Sequence, residues 1–128
     1  MRKSVENLSK RKYTGGRKVA MRGRRKYEID RYPNEAVVGD KYTKTRRTRG
    51  NNRKTALKFG ISVNITDPVS KKITNSKILQ VVKNAANRDY ERRGVISKGA
   101  LLETESGMAK VVSRPGQDGC INAVLMKQ

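Results

Sequence analysis

The sequence predicts a mainly β fold, namely a small antiparallel β-barrel with one short helix and an extended basic N-terminal arm. Leu, Ile, Val and Phe number only six in residues 1–56 but twenty in residues 57–128, so the core is expected in the C-terminal part. There, short strand-like runs are separated by glycine-containing turns, a pattern typical of small barrels and sandwiches. Charge is distributed the other way, because residues 1–60 hold 20 basic and 5 acidic side chains.

Residues 1–35 are expected to form the basic arm, and residues 36–128 the barrel domain. The arm contains three glycines, each of which weakens a helix by about 1 kcal/mol relative to alanine. Like charges three and four residues apart also oppose a helix in the isolated chain. A short helix within residues 17–29 stays open as an alternative once a partner supplies counter-charge.

The barrel domain is predicted to begin with a short strand and a basic hairpin. AVVG at 36–39 is strand-like, and the threonine-rich segment TKTRRTRGNNRKTALKF (43–59) carries a Gly-Asn-Asn turn signal at 50–52. We therefore expect a basic loop at 43–56 that feeds the next strand. In LKFGISVNI (57–65) apolar and polar residues alternate, which predicts one continuous, half-buried strand.

The remainder is predicted to be mostly strands with one short helix. Asn84 is a candidate N-cap and Gly94 a candidate stop for a helix within NAANRDYERRG (84–94). Ser106-Gly107 predicts a tight hairpin, and RPGQDG (114–119) predicts a further turn. Strands are expected at 72–84 around a polar Thr-Asn-Ser break, and at 95–97, 100–105, 108–113 and 120–126.

Few residues suit catalysis or metal binding. The chain has no histidine, and its single cysteine, Cys120, is expected in the core, so neither a zinc site of the usual ligands nor an internal disulfide is predicted. Glu103 and Glu105 are the best catalytic pair, because paired carboxylates on one strand face can perform acid–base work. The interpretation we favour is a solvated face with Glu105 near Lys110 across the hairpin. We predict no catalytic residues, no metal, no cofactor and no enzymatic activity.

No apolar run approaches the ~20 residues that a membrane-spanning helix needs. The basic N-terminus is not followed by the apolar segment of a signal peptide. Together with the single cysteine, these observations predict a cytoplasmic protein with no membrane partner.

Two basic, glycine-containing clusters indicate a polyanionic partner. TGGRKVAMRGRRKY (14–27) contains no acidic residue, and RRTRGNNRK (46–54) places five basic residues around its turn. Arg and Lys gain binding free energy by displacing counterions from a phosphate backbone, and glycine lets backbone N–H groups approach phosphates. This interpretation includes Arg22 in the first cluster and Arg46 in the second. Composition does not separate RNA from DNA, so an architectural DNA- or chromatin-binding protein is the alternative.

Four tyrosines lie in the basic half, where few apolar residues are available to bury them. They are suited either to stacking on bases, as aromatic side chains do in RNA recognition, or to covering the edge of the barrel. The sequence leaves both uses open for Tyr13, Tyr27, Tyr32 and Tyr42.

Four segments, in order along the chain, carry a family resemblance: YTGGRK (13–18), RRKYEIDRYPNE (24–35), RTRGNNRKTALK (47–58) and the long segment at 81–125 that ends in SRPGQDGCINAVL. They resemble the S-eight-e family of small-subunit ribosomal proteins of archaea and eukaryotes. The likeness covers nearly the whole chain after about residue 10, and the last motif and the compact length are similar to the archaeal branch. The family has Gly-Gly-Asn where this chain has Gly50-Asn51-Asn52, and asparagine tolerates positive φ better than most residues.

The resemblance implies a structural constituent of the small ribosomal subunit, which binds and stabilises folded rRNA and so supports translation. Its implied partners are small-subunit rRNA and neighbouring ribosomal proteins, without a small-molecule substrate, and its implied location is the ribosome in the cytoplasm. Carried over by position, rRNA contacts are expected from Arg11, Lys12, Gly15, Gly16, Arg17, Lys18, Arg24, Arg25, Lys26 and Tyr27, and from Arg47, Arg49, Asn52, Arg53 and Lys54.

Overall fold

The structure is a computed structural model that describes residues 10–23, 25–28 and 32–126, with only the backbone of Lys26. The chain divides into two units, Met1–Pro33 and Asn34–Gln128. In the described part of the first unit, the one regular element is a single turn of 3-10 helix, Lys26–Glu28.

The described residues of the second unit form nine strands and two short helices, with a 3-10 turn at Arg49–Asn51 between the second and third strands. In chain order these elements are β1 (Ala36–Val38), β2 (Tyr42–Arg47), β3 (Arg53–Gly60), β4 (Ser62–Thr66), β5 (Ile73–Lys83), α1 (Arg88–Arg92), β6 (Val95–Ile96), β7 (Leu101–Thr104), β8 (Gly107–Val111), α2 (Pro115–Asp118) and β9 (Asn122–Leu125).

Five of these strands close into a barrel in the order β4-β5-β7-β8-β9. Successive neighbours run antiparallel, and the barrel closes through a parallel pair between β9 and β4. Buried positions alternate with more exposed ones along β4, β7 and β8, so that one face of each of these strands is turned inward. The interior is filled by buried side chains that include Val63, Ile65, Leu102, Ala109 and Val111. The predicted small β-barrel is confirmed, with α2 as a second short helix.

The other four strands form a sheet in the order β2-β3-β1-β6. β3 is antiparallel to β2 and parallel to β1, and the short β1 is in turn antiparallel to β6. Ala36, Leu57 and Ile96 bring this sheet into the same buried cluster as the barrel residues. The predicted strand at 36–39 and the predicted basic hairpin therefore lie on one sheet that shares the core of the barrel.

The prediction of one continuous strand over residues 57–65 is wrong. The segment is divided between the sheet and the barrel, because β3 ends at Gly60 and β4 begins at Ser62. Phe59 and Ile61 are 40% and 42% exposed instead of buried. A Cβ on Gly60 would lie 2.9 Å from Leu57 Cδ2, so the absent side chain lets the backbone turn over the core at this point.

The predicted helix forms, but its N-cap is Asn87 rather than Asn84. The Asn87 side chain accepts a hydrogen bond from the backbone N–H of Asp89 at the start of α1. Asn84 is instead buried, with 3% exposure, and its amide donates to the Val95 carbonyl at 2.8 Å. It also accepts hydrogen bonds from the Ala86 N–H and the Ser97 hydroxyl, both at 3.0 Å. Because Asn84 and Asn87 both precede the helix, the sequence alone does not show which of them is the N-cap.

Three smaller expectations also change. Residues 73–83 form one uninterrupted strand, β5, across the predicted polar break, because Ser76 lies on the buried face. RPGQDG contains the helical turn α2, which Gly119 ends in the left-handed region at φ 76°. Cys120 is exposed and not in the core, since it lies in the connection that precedes β9.

Candidate nucleic-acid interface

The hairpin of β2 and β3, residues 42–60, carries seven basic residues and no acidic one. Its register places Arg46 opposite Lys54 and Arg47 opposite Arg53, in two consecutive rungs. Like charges directly opposite one another destabilise a strand pair. We call these four residues together with Arg49 the hairpin cations; a polyanion bound to them would relieve the repulsion.

The tip of the hairpin is a defined turn and not a loose loop. The backbone N–H of Thr48 donates to the Asn52 carbonyl at 2.7 Å, and the Asn52 side-chain amide donates to the Arg49 carbonyl at 3.1 Å. Gly50 and Asn51 both have positive φ, at 73° and 61°. The turn therefore places Asn51 in the left-handed conformation, which asparagine tolerates better than most residues. Asn52, predicted to contact RNA, also holds the turn together.

No ion pair between a hairpin cation and a carboxylate occurs within the described residues. Two carboxylates of the second unit are paired elsewhere: Arg93 holds Glu35 at 2.6 Å and Asp89 at 2.9 Å. The side-chain hydrogen bonds from Arg93 lower the pKa of Glu35 below its ordinary value of 4.5, so this carboxylate stays ionised and bound at neutral pH. Four of the five hairpin cations are exposed, and Arg46 is partly buried.

The base of the hairpin is fixed by close backbone packing. The Asn34 side-chain amide donates to the Leu57 carbonyl in β3. A Cβ on Gly119, at the end of α2, would lie 2.9 Å from Thr55 Oγ1, and one on Gly116 would lie 2.7 Å from the Asn34 carbonyl oxygen. These glycines allow α2 to pack against the strand that carries Arg53 and Lys54. The cations are therefore presented on a supported element.

The first unit contains a second basic turn at residues 11–16. The Lys12 N–H donates to the Gly16 carbonyl at 2.9 Å, and the Gly15 N–H donates to the Lys12 carbonyl at 3.0 Å. Gly15 has φ +83°, a conformation that favours glycine. The Arg11 guanidinium donates to the Gly15 carbonyl at 2.9 Å, so part of this predicted RNA contact is used to close the turn. Lys12 is exposed at the turn, and Arg17 and Lys18 are exposed after it.

Arg22 has a carboxylate partner that the sequence did not reveal. Both terminal nitrogens of its guanidinium donate to the two Glu28 oxygens at 2.6 Å, a bidentate pair. Glu28 also accepts a hydrogen bond from the Arg25 backbone N–H at 3.0 Å. Of the remaining predicted contacts in this segment, Arg24 lies outside the described residues, as does the side chain of Lys26.

The four tyrosines of the basic half all keep more than half of their surface exposed. The exposed fractions are 102% for Tyr13, 76% for Tyr27, 70% for Tyr32 and 55% for Tyr42. This exposure leaves their rings accessible for stacking on bases.

The two glutamates considered for catalysis are separated by the structure. Glu103 accepts a hydrogen bond from the Gln80 side chain at 2.6 Å, while Glu105 lies in the turn after β7. The expected proximity of Glu105 and Lys110 is wrong, because Lys110 pairs with Leu101 in the hairpin register. Within the part of the chain that the structure describes, no group of three or more His, Cys, Asp or Glu side chains is arranged to hold a metal ion.

Comparison with known proteins decides the family. The sequence profile described as "Ribosomal protein S8e" matches residues 5–126. The chain belongs to this family. The small ribosomal subunit protein eS8 of Sulfolobus acidocaldarius is 48% identical over 119 residues, which cover 92% of this chain and 93% of that relative. The protein of the same name from Methanobrevibacter smithii is also 48% identical, over 121 residues that cover 94% and 97%.

A third family member, the eS8 protein of Methanococcoides burtonii, is 45% identical over 122 residues, or 95% of this chain and 98% of the relative. All three relatives are archaeal, so the predicted likeness to the archaeal branch is confirmed. Among the described residues, no helix combines the length and apolar character needed to cross a membrane. Family membership makes this chain a ribosomal protein of the small subunit.

Proposed function

We propose that this ribosomal protein binds and stabilises folded small-subunit rRNA through its hairpin cations and its basic arm. The observation that carries the proposal is the pair of like-charge rungs, Arg46 opposite Lys54 and Arg47 opposite Arg53, with no carboxylate paired to them among the described residues. This arrangement costs stability in the free protein and favours a phosphate backbone, whose bound counterions the cations displace.

The hairpin and the arm contribute in different ways. The hairpin is held by α2 and the shared core, so its cations are pre-positioned and lose little conformational freedom on binding. The arm, over residues 1–35, has glycines, exposed tyrosines and cations, which suit it to follow an irregular RNA surface and to stack on unpaired bases. The barrel domain, over residues 36–128, is the rigid anchor that fixes the hairpin.

The proposed RNA contacts do not all have the same role. Arg11 and Asn52 close turns through their side chains, and Arg22 is engaged by Glu28, so these three position other groups as well as contact RNA. Direct phosphate contacts are assigned to the predicted contact residues whose cations are exposed, namely Lys12, Arg17, Lys18, Arg25, Arg47, Arg49, Arg53 and Lys54, with Arg46 beside them. Gly15 and Gly16 provide backbone close to RNA, and Tyr27 provides a ring.

The proposed partners are rRNA and neighbouring ribosomal proteins, and the proposed location is the ribosome in the cytoplasm. The family match and the relatives named as small ribosomal subunit proteins support this assignment. The role is structural: Glu103 is bound to Gln80, and no chemistry is assigned to it.

A competition experiment tests the choice of nucleic acid. The full chain is bound to labelled, folded small-subunit rRNA and challenged with unlabelled rRNA or with duplex DNA at equal nucleotide concentration and fixed salt. We expect rRNA to displace the label at a far lower concentration than duplex DNA. Equal or better competition by duplex DNA would favour an architectural DNA-binding protein and overturn the proposal.

A further inference from the structure

Three asparagine side chains form a hydrogen-bonded row across the outer wall of the barrel. Asn64 in β4 lies between Asn75 in β5 and Asn122 in β9, and each pairing is in register. The Asn75 amide donates to the Asn64 oxygen at 2.9 Å, and the Asn64 amide donates to the Asn122 oxygen at 3.0 Å. All three side chains are exposed. We call these residues the amide row.

Strand stability does not account for the amide row. Asparagine is depleted in β-strands relative to β-branched and aromatic residues, so three of them side by side weaken this wall. Hydrogen bonds between exposed amides add little to the stability of the fold, because water forms hydrogen bonds with the same groups in the unfolded chain. A binding function would explain why these positions are polar.

Hydrogen-bonding capacity remains after the row is formed. Each amide has two N–H donors and an oxygen with two lone pairs. Within the described residues the row uses one N–H of Asn75, one N–H of Asn64 and one lone pair each of Asn64 and Asn122. The wall therefore presents uncharged donors and acceptors on three adjacent strands, which are spaced about 4.8 Å apart.

Acidic residues adjoin the strands of the amide row but do not lie on them: Asp67 directly follows β4, and the Glu105 backbone N–H donates to the Lys77 carbonyl at 3.2 Å. β4, β5 and β9 contain no Asp or Glu, and Lys77 pairs with Ser62 two rungs from the row. A cleft of about 140 Å³ lies beside the row, lined by Asn64, Asn75 and Ser62 together with Lys41. A surface with lysines at its margins and no acidic residue on its strands is complementary to a phosphate backbone, which favours RNA over a protein partner.

We propose that the amide row is a separate rRNA contact, which recognises the minor groove of an rRNA helix through its 2′-hydroxyls and base edges. The A-form minor groove is wide and shallow and displays 2′-hydroxyls, which both donate and accept hydrogen bonds. A row of exposed amides on a sheet matches that pattern, with Lys41 and Lys77 placed for the flanking phosphates. This proposal rests on the proposed function, and it adds a means of distinguishing RNA from DNA that the basic clusters lack.

The test replaces Asn64 and Asn75 by valine in the full chain, which removes amides without changing charge and suits a strand. Binding is measured across a range of salt to folded fragments of small-subunit rRNA and to their 2′-deoxy counterparts. We expect affinity for the RNA to fall about tenfold, as for the loss of two neutral hydrogen bonds. The salt slope should stay the same, and affinity for the 2′-deoxy strand should fall by a smaller factor, so that the preference for RNA shrinks.

The matched control is Gln80→Val, which removes an exposed amide from the same strand outside the row and should leave RNA binding unchanged. Should the valine variant fail to fold, Asn64→Thr with Asn75→Thr is measured in its place. Unchanged affinity, or an equal loss for RNA and 2′-deoxy strands, overturns the amide-row proposal, including the case in which the row contacts a protein. A shallow salt slope of the wild-type chain would instead overturn the proposed function.

Discussion

The like-charge rungs of the hairpin predict that one double substitution changes stability and RNA binding in opposite directions. Arg47→Gln with Arg53→Gln removes both charges of one rung and keeps the strand register. Relief of one directly opposed pair should stabilise the free protein by about 0.5 kcal/mol, which raises Tm by about 2–4 °C in a domain of this size. Binding should become less salt-dependent, because each lost phosphate contact reduces the slope of log affinity against log salt by about 0.7–0.9.

For two lost contacts the slope should fall by about 1.4–1.8, so that raising salt from about 50 mM to about 200 mM weakens the variant about tenfold less than the wild type. The assays are thermal unfolding of the free protein and filter binding to folded small-subunit rRNA. The control is Arg88→Gln with Arg92→Gln in α1, which removes two charges from a helix instead of the hairpin. A hairpin variant that loses stability, or keeps the wild-type slope while the control changes it, would refute the assignment.

Three further predictions concern the fold and the acidic residues. Asn84→Ala should cost about 2–4 kcal/mol in chemical denaturation, because it leaves buried backbone groups without partners; a loss under about 0.5 kcal/mol would contradict the hydrogen-bond network. Since Arg93 lowers the pKa of Glu35, the stability from this pair is complete above about pH 4.5 and is lost as pH falls through the lowered pKa. Glu35→Gln should therefore be less stable than the wild type at neutral pH and equal to it at strongly acid pH, as measured by denaturation; a gap independent of pH would show that the pair contributes nothing. Glu103→Gln with Glu105→Gln should leave rRNA binding within about twofold of the wild type, and a large loss would implicate these carboxylates.

Much of the fold follows from local sequence patterns. Short strand-like runs between turn signals predicted the barrel strands after residue 72, and the Ser106-Gly107 signal located the β7–β8 hairpin, because these features depend on neighbouring residues alone. The break at Ile61 was missed, since it depends on Gly60 packing against Leu57 and on a change of partner strands. Asn84 was predicted as the N-cap in place of Asn87 for a similar reason. The role of Asn84 depends on a hydrogen bond from its side chain to the Val95 carbonyl, eleven residues away.

The candidate interface was predicted as a set of charges but not as an arrangement. The basic cluster at 46–54 is visible in the sequence, whereas the opposition of Arg47 and Arg53 depends on the turn that sets the register. The pairing of Arg22 with Glu28 and the contact between Asn64 and Asn122, 58 residues apart, are likewise products of the fold. If the type of the turn is known, the opposition of Arg47 and Arg53 follows from counting equal numbers of residues outward from Gly50.

The salt dependence of binding between the full chain and folded small-subunit rRNA tests the central claim most directly. If cations of the hairpin and arm together meet about ten phosphates, the slope of log affinity against log salt should be about −7 to −9. A slope near about −2 would mean that only two or three phosphates are neutralised, and it would contradict an interface built on the basic clusters.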